Sequence, residues 1–422
     1  MNNKFKKTEL APGINLYLYP TDKYKTVSIR MFLYTNLDDE TSKTALLPEI
    51  MKKGTDMYPT PRELSQELAK LYGTRMGAGV TKRGETLLMD FRMEMVSPRF
   101  LEDDSYVQKS LNIFKDIIFN PAIKDNKFNK TYVEIEKQNL KNRISSTVND
   151  KQKYAFIKAI EHSCPEEPYR TSKYGSYDDL EKINENNLYE HYNRIINNNP
   201  IDFYVVGNFD EKSLKDKFLD TFKIEREKTD TVKKPINSKA NSFNEIIEEM
   251  DIKQGRLVMV MKTPITMNHD RYPALLMYNG ILGGFTHSKL FQNVREKASL
   301  AYYAGSNIET LKGMIFVFAG IDKQTYNETV EIIKKQVEEI KMGNISDKEI
   351  EYTLAGLENS LSETIDEVGG QIGLQVDGGL VGRKWTVEEL LRELKSVSKE
   401  DIVNAANTIE MDTIFFLRPK ED

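Results

Sequence analysis

Four histidines and one cysteine are the residues of this 422-residue chain from which a metal site or a nucleophile would most easily be built. The histidines are His162, His191, His269 and His287. No two lie within five residues of each other, so no pair can clamp a metal from one helix face. Cys164 follows His162 by two positions, which is poor geometry for a Cys–His dyad. We therefore expect solvated or capping histidines and an incidental cysteine.

Other common catalytic motifs are absent from the sequence. Neither G-x-G-x-x-G nor G-x-x-x-x-G-K-[ST] occurs, and there is no G-x-S-x-G elbow. A glycine-rich stretch at 369–382 (GGQIGLQVDGGLVG) does not follow a predicted strand, which argues against a nucleotide cradle. It predicts a flexible hinge or close helix packing.

Composition excludes several classes of protein. The net charge of -5 argues against a broad nucleic-acid footprint, and a single cysteine excludes an internal disulfide framework. There is no run of about 18 apolar residues, so we expect no membrane span. The polar start, 1–7, is not followed by an apolar segment, so we expect no signal peptide and a cytoplasmic protein.

Strand and helix patterns occur twice along the chain. Alternation or apolar runs predict strands at 26–35, 87–95, 201–207, 256–262, 313–321 and 413–417. Caps and apolar stripes predict helices at about 42–53, from Thr60, over much of 106–160, at 288–297 and after Ser346.

The two halves can be aligned with each other. An offset of 229 places Ile29 on Val258 and Gly84 on Gly313, and an offset of 214 places Leu180 on Leu394. This predicts an internal duplication, and the alternative is two unrelated α+β domains with chance matches. The predicted division is an N-terminal domain at 1–228, a polar linker at 229–242 and a C-terminal domain at 243–422.

The helix segment TALLPEIMKKGT (44–55) resembles the start of the pitrilysin/insulinase family of zinc peptidases. That family has A-H-x-x-E-H followed shortly by K-G-T, and Ala45, Glu49 and 53–55 match it. Leu46 and Ile50 stand where the two histidine ligands would be, with Pro48 between them. The resemblance therefore implies a degenerate zinc motif in which Glu49 is a remnant of the catalytic base, without a metal-bound water to activate.

Two further segments of the first half resemble the family. YGTRMGAGVTKRGET (72–86) is similar to the edge strand that lines the substrate cleft, with Gly77 and Ala78 in the substrate-binding position. VEIEKQNLKNRI (133–144) is similar to the helix that carries the third zinc ligand, a glutamate. Arg143 falls at that ligand position, seven residues after Glu136. Apolar and cationic side chains cannot bind zinc, so the resemblance implies that this chain binds no metal.

The second half is the better match. GGFTHSKLFQNVREKASLAYYAGS (283–306) is similar to G-G-x-x-S-x-L-F-x-x-V-R-E-x-x-x-L-A-Y of the family. Arg295 and Tyr302 fall on an arginine–tyrosine pair that binds the substrate backbone near the scissile carbonyl in active members. The alternative is that Arg295 caps its helix and Tyr302 packs in the core.

The resemblance covers essentially the whole chain and implies an α+β protein. It would have two tandem, internally duplicated domains of the metallopeptidase-like (LuxS/processing-peptidase) type, each a mixed sheet packed with helices. The family also implies a partner, and the hypothesis is a non-catalytic subunit that binds an extended peptide and supplies Arg295 and Tyr302 to a zinc-bearing sister subunit. The alternatives are a non-proteolytic accessory protein, for example in translation-factor modification, and a homodimeric peptide-binding module.

Overall fold

The computed structural model describes residues 5–226, 229–233, 238–240, 242–383 and 385–420. The chain forms two compact units, of which unit 1 comprises Met1–Ser146 and Thr171–Lys233, and unit 2 comprises Thr147–Arg170 and Lys234–Asp422. A segment of the predicted N-terminal domain, 147–170, thus belongs to unit 2. Positions 234–237 and 241 of the predicted linker lie outside the described residues.

Unit 1 is built on a six-stranded sheet with helices. Its strands are β1 (Lys6–Ala11), β2 (Ile14–Pro20), β3 (Thr26–Asn36), β4 (Arg75–Arg83), β5 (Thr86–Val96), the short hairpin of β6 (Ile123–Lys124) and β7 (Lys127–Phe128), and β8 (Ile201–Gly207). Its helices are α1 (Thr41–Met51), α2 (Pro61–Lys70), α3 (Ser105–Phe119) and most of α4 (Lys130–Asn149), then, after α5 (Lys151–Ser163) of unit 2, α6 (Tyr177–Glu181), α7 (Glu185–Asn198) and α8 (Glu211–Thr221). The large sheet has the order β1-β2-β8-β3-β5-β4.

Unit 2 contains α5 and a five-stranded sheet. Its strands are β9 (Asn244–Met250), β10 (Gly255–Lys262), β11 (Ala301–Glu309), β12 (Met314–Ile321) and β13 (Glu410–Pro419), in the order β11-β12-β10-β13-β9. Its other helices are α9 (Tyr272–Asn279), π-helices at Gly280–Gly284 and Phe291–Lys297, α10 (Tyr326–Lys341), α11 (Asp347–Asp366), α12 (Val368–Val381), α13 (Val387–Ser396) and α14 (Lys399–Ala406).

The two sheets repeat one topology. Five strands of unit 1, read as β2-β8-β3-β5-β4, correspond to β9-β13-β10-β12-β11 of unit 2. In each sheet the first pair of this series is parallel and the three following pairs are antiparallel. Chance similarity between unrelated domains would not reproduce both strand order and direction, so the predicted α+β fold with an internal duplication is confirmed.

Period-two alternation places the core of unit 1 on one face of its sheet. Val27, Ile29, Met31 and Leu33 of β3 are all fully buried in one cluster with the alternating apolar side chains of β5. Helices α1, α3 and α7 contribute to the same cluster. The side chains that face the core are the ones that the alternation predicted, so the sequence predicted these two strands correctly.

Local capping chemistry also follows the prediction. Thr60 Oγ1 accepts a hydrogen bond from the Glu63 amide at 3.3 Å, and Glu63 Oε2 accepts from the Thr60 amide at 3.1 Å. Ser346 and Glu349 form the same capping box at the start of α11. Each box satisfies two backbone donors that the first turn of a helix leaves without partners.

A buried polar cluster joins α5 to the sheet of unit 2. Lys262 is almost fully buried, pairs with Asp412 Oδ1 at 3.1 Å and donates to the Ser163 carbonyl at the end of α5. Lys312, also buried, pairs with Glu167 at 2.7 Å. Removing one member would leave a buried charge without its partner, which is strongly destabilising.

The structure refines three sequence-based expectations. The segment 106–160 is mostly helical, as predicted, and the β6–β7 hairpin interrupts it; the hairpin's turn residues Asp125 and Asn126 have positive φ of 54° and 57°. The predicted helix at 288–297 is a π-helix over Phe291–Lys297. Of the two alternatives for the glycine-rich stretch 369–382, close helix packing is confirmed and the hinge is not: the stretch lies in α12, which packs against α11 and ends at Gly382, whose φ is 79°.

No described helix is both long and apolar enough to span a lipid bilayer.

A buried histidine links α7 to α1, against the expectation that the histidines are solvated or capping. His191 is 4% exposed; its Nε2 lies 2.8 Å from Thr44 Oγ1 and its Nδ1 2.8 Å from Glu40 Oε2. Burial lowers the pKa of His191 to about 4, because desolvation outweighs the neighbouring Glu40 carboxylate. Arg194 also pairs with Glu40. Neutral His191 is therefore part of the folded state at neutral pH.

We expect acid to destabilise unit 1 through His191. Unfolded His191 titrates near 6.5 and folded His191 near 4, so the unfolded chain binds the extra proton as the pH falls between these values. The stabilisation, on the order of 3 kcal/mol, is present above pH 6.5 and is lost towards pH 4. Urea unfolding should be followed by far-UV circular dichroism, since the one tryptophan, Trp385, lies in unit 2.

The matched variants are His191→Gln, which should flatten this pH dependence, and His162→Gln at an exposed position, which should leave it unchanged. A His191→Gln protein that keeps the wild-type slope between pH 6.5 and 4 would show that another group is responsible.

Candidate functional site

Helix α1 carries the degenerate motif and is buried along nearly its whole length. Leu46 is fully buried and Ile50 is 4% exposed, and both belong to the core of unit 1. Pro48 does not break the helix, which is continuous from Thr41 to Met51. The two positions where the family has histidine ligands thus face the core, where each apolar side chain contributes about 2 kcal/mol by burial.

Glu49 lies between two cations. Its Oε1 is 2.8 Å from Arg143 Nη1 of α4, and its Oε2 is 2.5 Å from Lys52 Nζ. Burial alone would raise the pKa of Glu49, but hydrogen bonds and charges from Lys52 and Arg143 outweigh it and lower the pKa below its ordinary value. A general base that works near neutral pH needs the opposite shift, so this carboxylate is suited to an ion pair.

The second acidic residue of the α4 motif is also paired. Glu136 is buried, and its Oε1 lies 2.7 Å from Lys53 Nζ, which follows α1 in the K-G-T segment. The structure therefore brings α4 next to α1, as the resemblance implies, with Arg143 beside Glu49. Two ion pairs, Glu49–Arg143 and Glu136–Lys53, join these elements.

Zinc does not fit the residues at this position. Two ligand positions hold alkyl side chains without a lone pair, and the third holds a guanidinium that already pairs with Glu49. Throughout the described part of the chain, no group of three or more His, Cys, Asp or Glu side chains could hold a metal ion. No step of a reaction can therefore be assigned to a metal on this chain.

Gly77 and Ala78 lie on β4, at the edge of the unit 1 sheet. In the described residues β4 pairs only with β5, with Gly77 opposite Arg92 and Ala78 opposite Phe91. Ala78 packs against the core of unit 1, whereas a Cβ added at Gly77 would meet no described atom within 4 Å. The two residues therefore face opposite sides of the sheet, and the Gly77 side is open.

Arg295 and Tyr302 occupy irregular and exposed backbone in unit 2. Arg295 lies on the π-helix Phe291–Lys297 with a side chain 42% exposed, stacked over the Phe291 ring at 4.6 Å. Tyr302 is 68% exposed, and it is the extra residue of a β-bulge between Ala301 and Tyr303 at the start of β11. Neither side chain is buried, which argues against core packing of Tyr302.

The backbone between these two residues is also unusual. Ser299 has a φ of 54°, in the left-handed region that residues other than glycine seldom adopt. A π-helix, a left-handed residue and a β-bulge thus follow one another within twelve residues. All three features are found preferentially at functional sites because each redirects side chains away from regular geometry.

The remaining histidines and the cysteine do not form a site. His287 Nε2 lies 3.0 Å from Thr353 Oγ1, and His162 is exposed and stacks on Phe415. Cys164 is buried, and burial followed by the Glu167 charge raises the pKa of its thiol, which disfavours a thiolate nucleophile. The role of His191 was not predicted from the sequence because its partners, Thr44 and Glu40, are distant in the chain. The role of Lys52 was not predicted either, although the i,i+3 spacing to Glu49 was a signal for this ion pair.

Comparison with known proteins agrees with these features. A model of the "Peptidase M16 inactive domain" matches residues 182–357. The probable inactive metalloprotease YmfF of Bacillus subtilis is 36% identical over 411 residues, which cover 97% of this chain and 96% of YmfF. A conserved protein from Enterococcus faecalis has a crystal structure with a TM-score of 0.92, 31% identity and 99% coverage of both chains.

A more distant structure shows the same fold. The crystal structure of a peptidase M16 inactive domain from Pseudomonas fluorescens superimposes with a TM-score of 0.80 at 14% identity, covering 100% of this chain and 99% of that one. The chain belongs to the M16 family of peptidases, the pitrilysin/insulinase family. Within it, this is an inactive homologue that lacks the zinc-binding residues, as the sequence resemblance predicted.

We expect the purified chain to retain no stoichiometric zinc, because none of the three ligand positions offers a donor. Metal content should be measured after dialysis against zinc and then buffer, with thermal unfolding followed with and without zinc. One zinc per chain, or an unfolding temperature that rises in zinc and falls with chelator, would contradict the assignment.

We expect Arg143→Gln to raise the pKa of Glu49 while leaving Lys52 in place. The pair is partly exposed, so the loss of stability should be below about 1 kcal/mol. This loss should be present above pH 4.5 and disappear as the pH falls and Glu49 is protonated. Carboxyl NMR titration gives the pKa directly, and an unchanged Glu49 titration would show that Arg143 does not hold this carboxylate.

Proposed function

We propose that this chain is the non-catalytic subunit of a heterodimeric zinc peptidase. It binds an extended peptide and contributes Arg295 and Tyr302 to the active site of a zinc-bearing sister subunit. The observation that carries the proposal is the contrast between the two halves. In unit 1, Leu46 and Ile50 fill two zinc-ligand positions by core packing, and Arg143 at the third pairs with Glu49. In unit 2, Arg295 and Tyr302 are exposed on irregular backbone.

The chemistry of the pair supports this role. A guanidinium and a phenol both donate hydrogen bonds, so they can bind a peptide carbonyl and stabilise the negative charge that develops on it during hydrolysis. The ion pair of Arg295 with Glu296 is loose, 3.6 Å from Nε to Oε1. Its stacking on Phe291 fixes the guanidinium without using its hydrogen-bond donors.

The edge of β4 offers a place for the peptide backbone. Lys173 Nζ donates to the Val80 carbonyl at 3.4 Å, so this carbonyl points away from β5 and already has a side-chain partner. Alternation along a strand gives Ala78 and Met76 the same outward orientation. An extended peptide could add to the sheet there by strand pairing, a common mode of peptide recognition.

The test is a reconstituted peptidase. The sister is sought in the same genome as an M16 paralogue with an intact H-x-x-E-H motif and without the arginine–tyrosine pair. Hydrolysis of an unstructured peptide is measured with each chain alone and with both. We expect chelator-sensitive cleavage only when both chains are present, and co-elution of the two in gel filtration.

We expect Arg295→Ala and Tyr302→Phe to lower kcat of the heterodimer by roughly 10²–10³-fold, the usual cost of losing a donor to a developing oxyanion. The controls are Arg392→Ala on α13 and Tyr352→Phe on α11, two exposed residues that should leave kcat unchanged.

Four results would contradict the proposal. Full activity of both variants in an assembled heterodimer would exclude a role for the pair in the sister's site. Chelator-sensitive cleavage by this chain alone would exclude a non-catalytic subunit. A stable homodimer that binds peptide and has no affinity for the sister would favour the homodimeric module, and absence of peptide binding would favour a non-proteolytic accessory protein.

A further inference from the structure

We propose that the open face of β4 contains a specificity subsite for an acidic side chain of the bound peptide, with Arg92 as the residue that recognises it. The subsite consists of Gly77, Gly79 and Arg92, with Asp90 positioning the guanidinium. This inference rests on the proposed function, since it assumes that an extended peptide pairs with β4. It adds the chemical class of the peptide that is selected.

The two glycines leave a gap on one face of the sheet. Gly77 pairs in register with Arg92, and Gly79 with Asp90. Because residues opposite each other in an antiparallel pair share a face, Arg92 and Asp90 project on the same side as the missing side chains of the glycines. A Cβ built at Gly77 or Gly79 meets no described atom within 4 Å. The space over the glycines is thus open next to Arg92.

Arg92 is held in place and still has donors to offer. Its Nε and Nη2 lie 2.7 Å and 2.6 Å from the same oxygen of Asp90, Oδ2. Asp90 is 2% exposed, whereas the Arg92 side chain is 52% exposed. A guanidinium has five N–H groups. Among the described residues, Asp90 accepts two of those of Arg92, one from Nε and one from Nη2. A preorganised guanidinium of this kind can bind a carboxylate in a bidentate manner.

The surrounding charge favours an anion. Arg75 and Arg83 lie at the two ends of β4 on the same face as the glycines, and Arg30 of β3 is the cross-strand neighbour of Arg92. Burial lowers the pKa of Arg30; the charge of Asp90 opposes this shift, and the charges of Arg92 and Arg83 add to it. Four arginines of β3, β4 and β5 thus share this face with two carboxylates of the same strands, Asp90 and Glu94, and Asp90 is already paired. A third carboxylate on this face, Asp202 of β8, accepts hydrogen bonds from Asn15 and Tyr34.

The spacing of the glycines matches an extended peptide. Side chains of a strand alternate between faces, so a peptide paired with β4 presents every second residue to the side of Gly77 and Gly79. A side chain over the glycines meets no β4 side chain and can reach the guanidinium of Arg92. We therefore infer selection of glutamate or aspartate at one peptide position, with little selection at its immediate neighbours.

The experiment uses the full-length chain and three labelled, unstructured peptides that differ at one central residue, which is Glu, Gln or Lys. Fluorescence anisotropy gives Kd for the wild type and for R92Q, R92K and G79V. We expect the Glu peptide to bind about tenfold more tightly than the Gln peptide, as one charge-assisted bidentate contact would give. R92Q should remove this preference while retaining affinity for the Gln peptide, and R92K should keep part of it.

Two controls separate the subsite from general effects. R62Q, at an exposed arginine of α2, should leave the preference intact. G79V, which fills the gap, should weaken the Glu peptide most. Equal affinity of the wild type for all three peptides overturns the subsite and leaves peptide binding intact, whereas absence of binding by any peptide overturns the proposed function as well. If R92Q fails to fold, the wild-type comparison still decides the question.

Discussion

The burial of α1 is the constraint on which the chemistry of this protein depends. Ten of the eleven residues of this helix are buried, including Leu46, Ile50 and Glu49. Side chains at the two former ligand positions must suit the core, and the remaining carboxylate must be neutralised. Arg143 and Lys52 meet the second requirement, since a carboxylate at this depth without a partner would be costly. Core packing of Leu46 and Ile50 and the ion pairs of Glu49 thus exclude a metal from this site, while the helix keeps its place in the core of unit 1.

Comparison of the two units shows which parts of the repeated fold are the same and which differ. Strand order and direction are the same in both units, because each strand is fixed by hydrogen bonds to its neighbours. The connection from β3 to β4 differs from the equivalent connection from β10 to β11. Unit 1 has the regular helices α1 and α2 there, whereas unit 2 has α9 followed by π-helical segments. The two units thus share the sheet and differ in the helical segments that connect its strands.

The sequence predicted what local periodicity and capping determine. Alternation located β3, and Thr60 with Glu63 located the start of α2, since both signals depend only on neighbouring residues. The edge strand β9 escaped prediction because its seven residues, NEIIEEM, are only partly buried and lack a clear alternation. The π-helix around Arg295 escaped because one extra residue per turn hardly changes an apolar pattern. Glu49 can pair with Arg143 only because α1 and α4 are neighbours in the fold. The alignment with the family motif predicts that the two helices are neighbours, whereas hydrophobic periodicity does not.

The glycines Gly77 and Gly79 and the bulge at Tyr302 lie on equivalent strands of the repeat. β4 and β11 are each the edge strand next to a hairpin, and each follows the helical segment that leaves the central strand β3 or β10. An edge strand has an unpaired row of backbone groups, so it is the one sheet position that can accept another chain. On β4 two glycines leave one face of the sheet open beside the edge, and on β11 a bulge places Tyr302 in an exposed position. The apolar residues at the zinc positions of α1 pack into the core of unit 1, whereas β4 and β11 keep an outer row of backbone groups without a strand partner among the described residues. Packing that excludes the metal is therefore compatible with edge strands of the kind that can pair with a peptide.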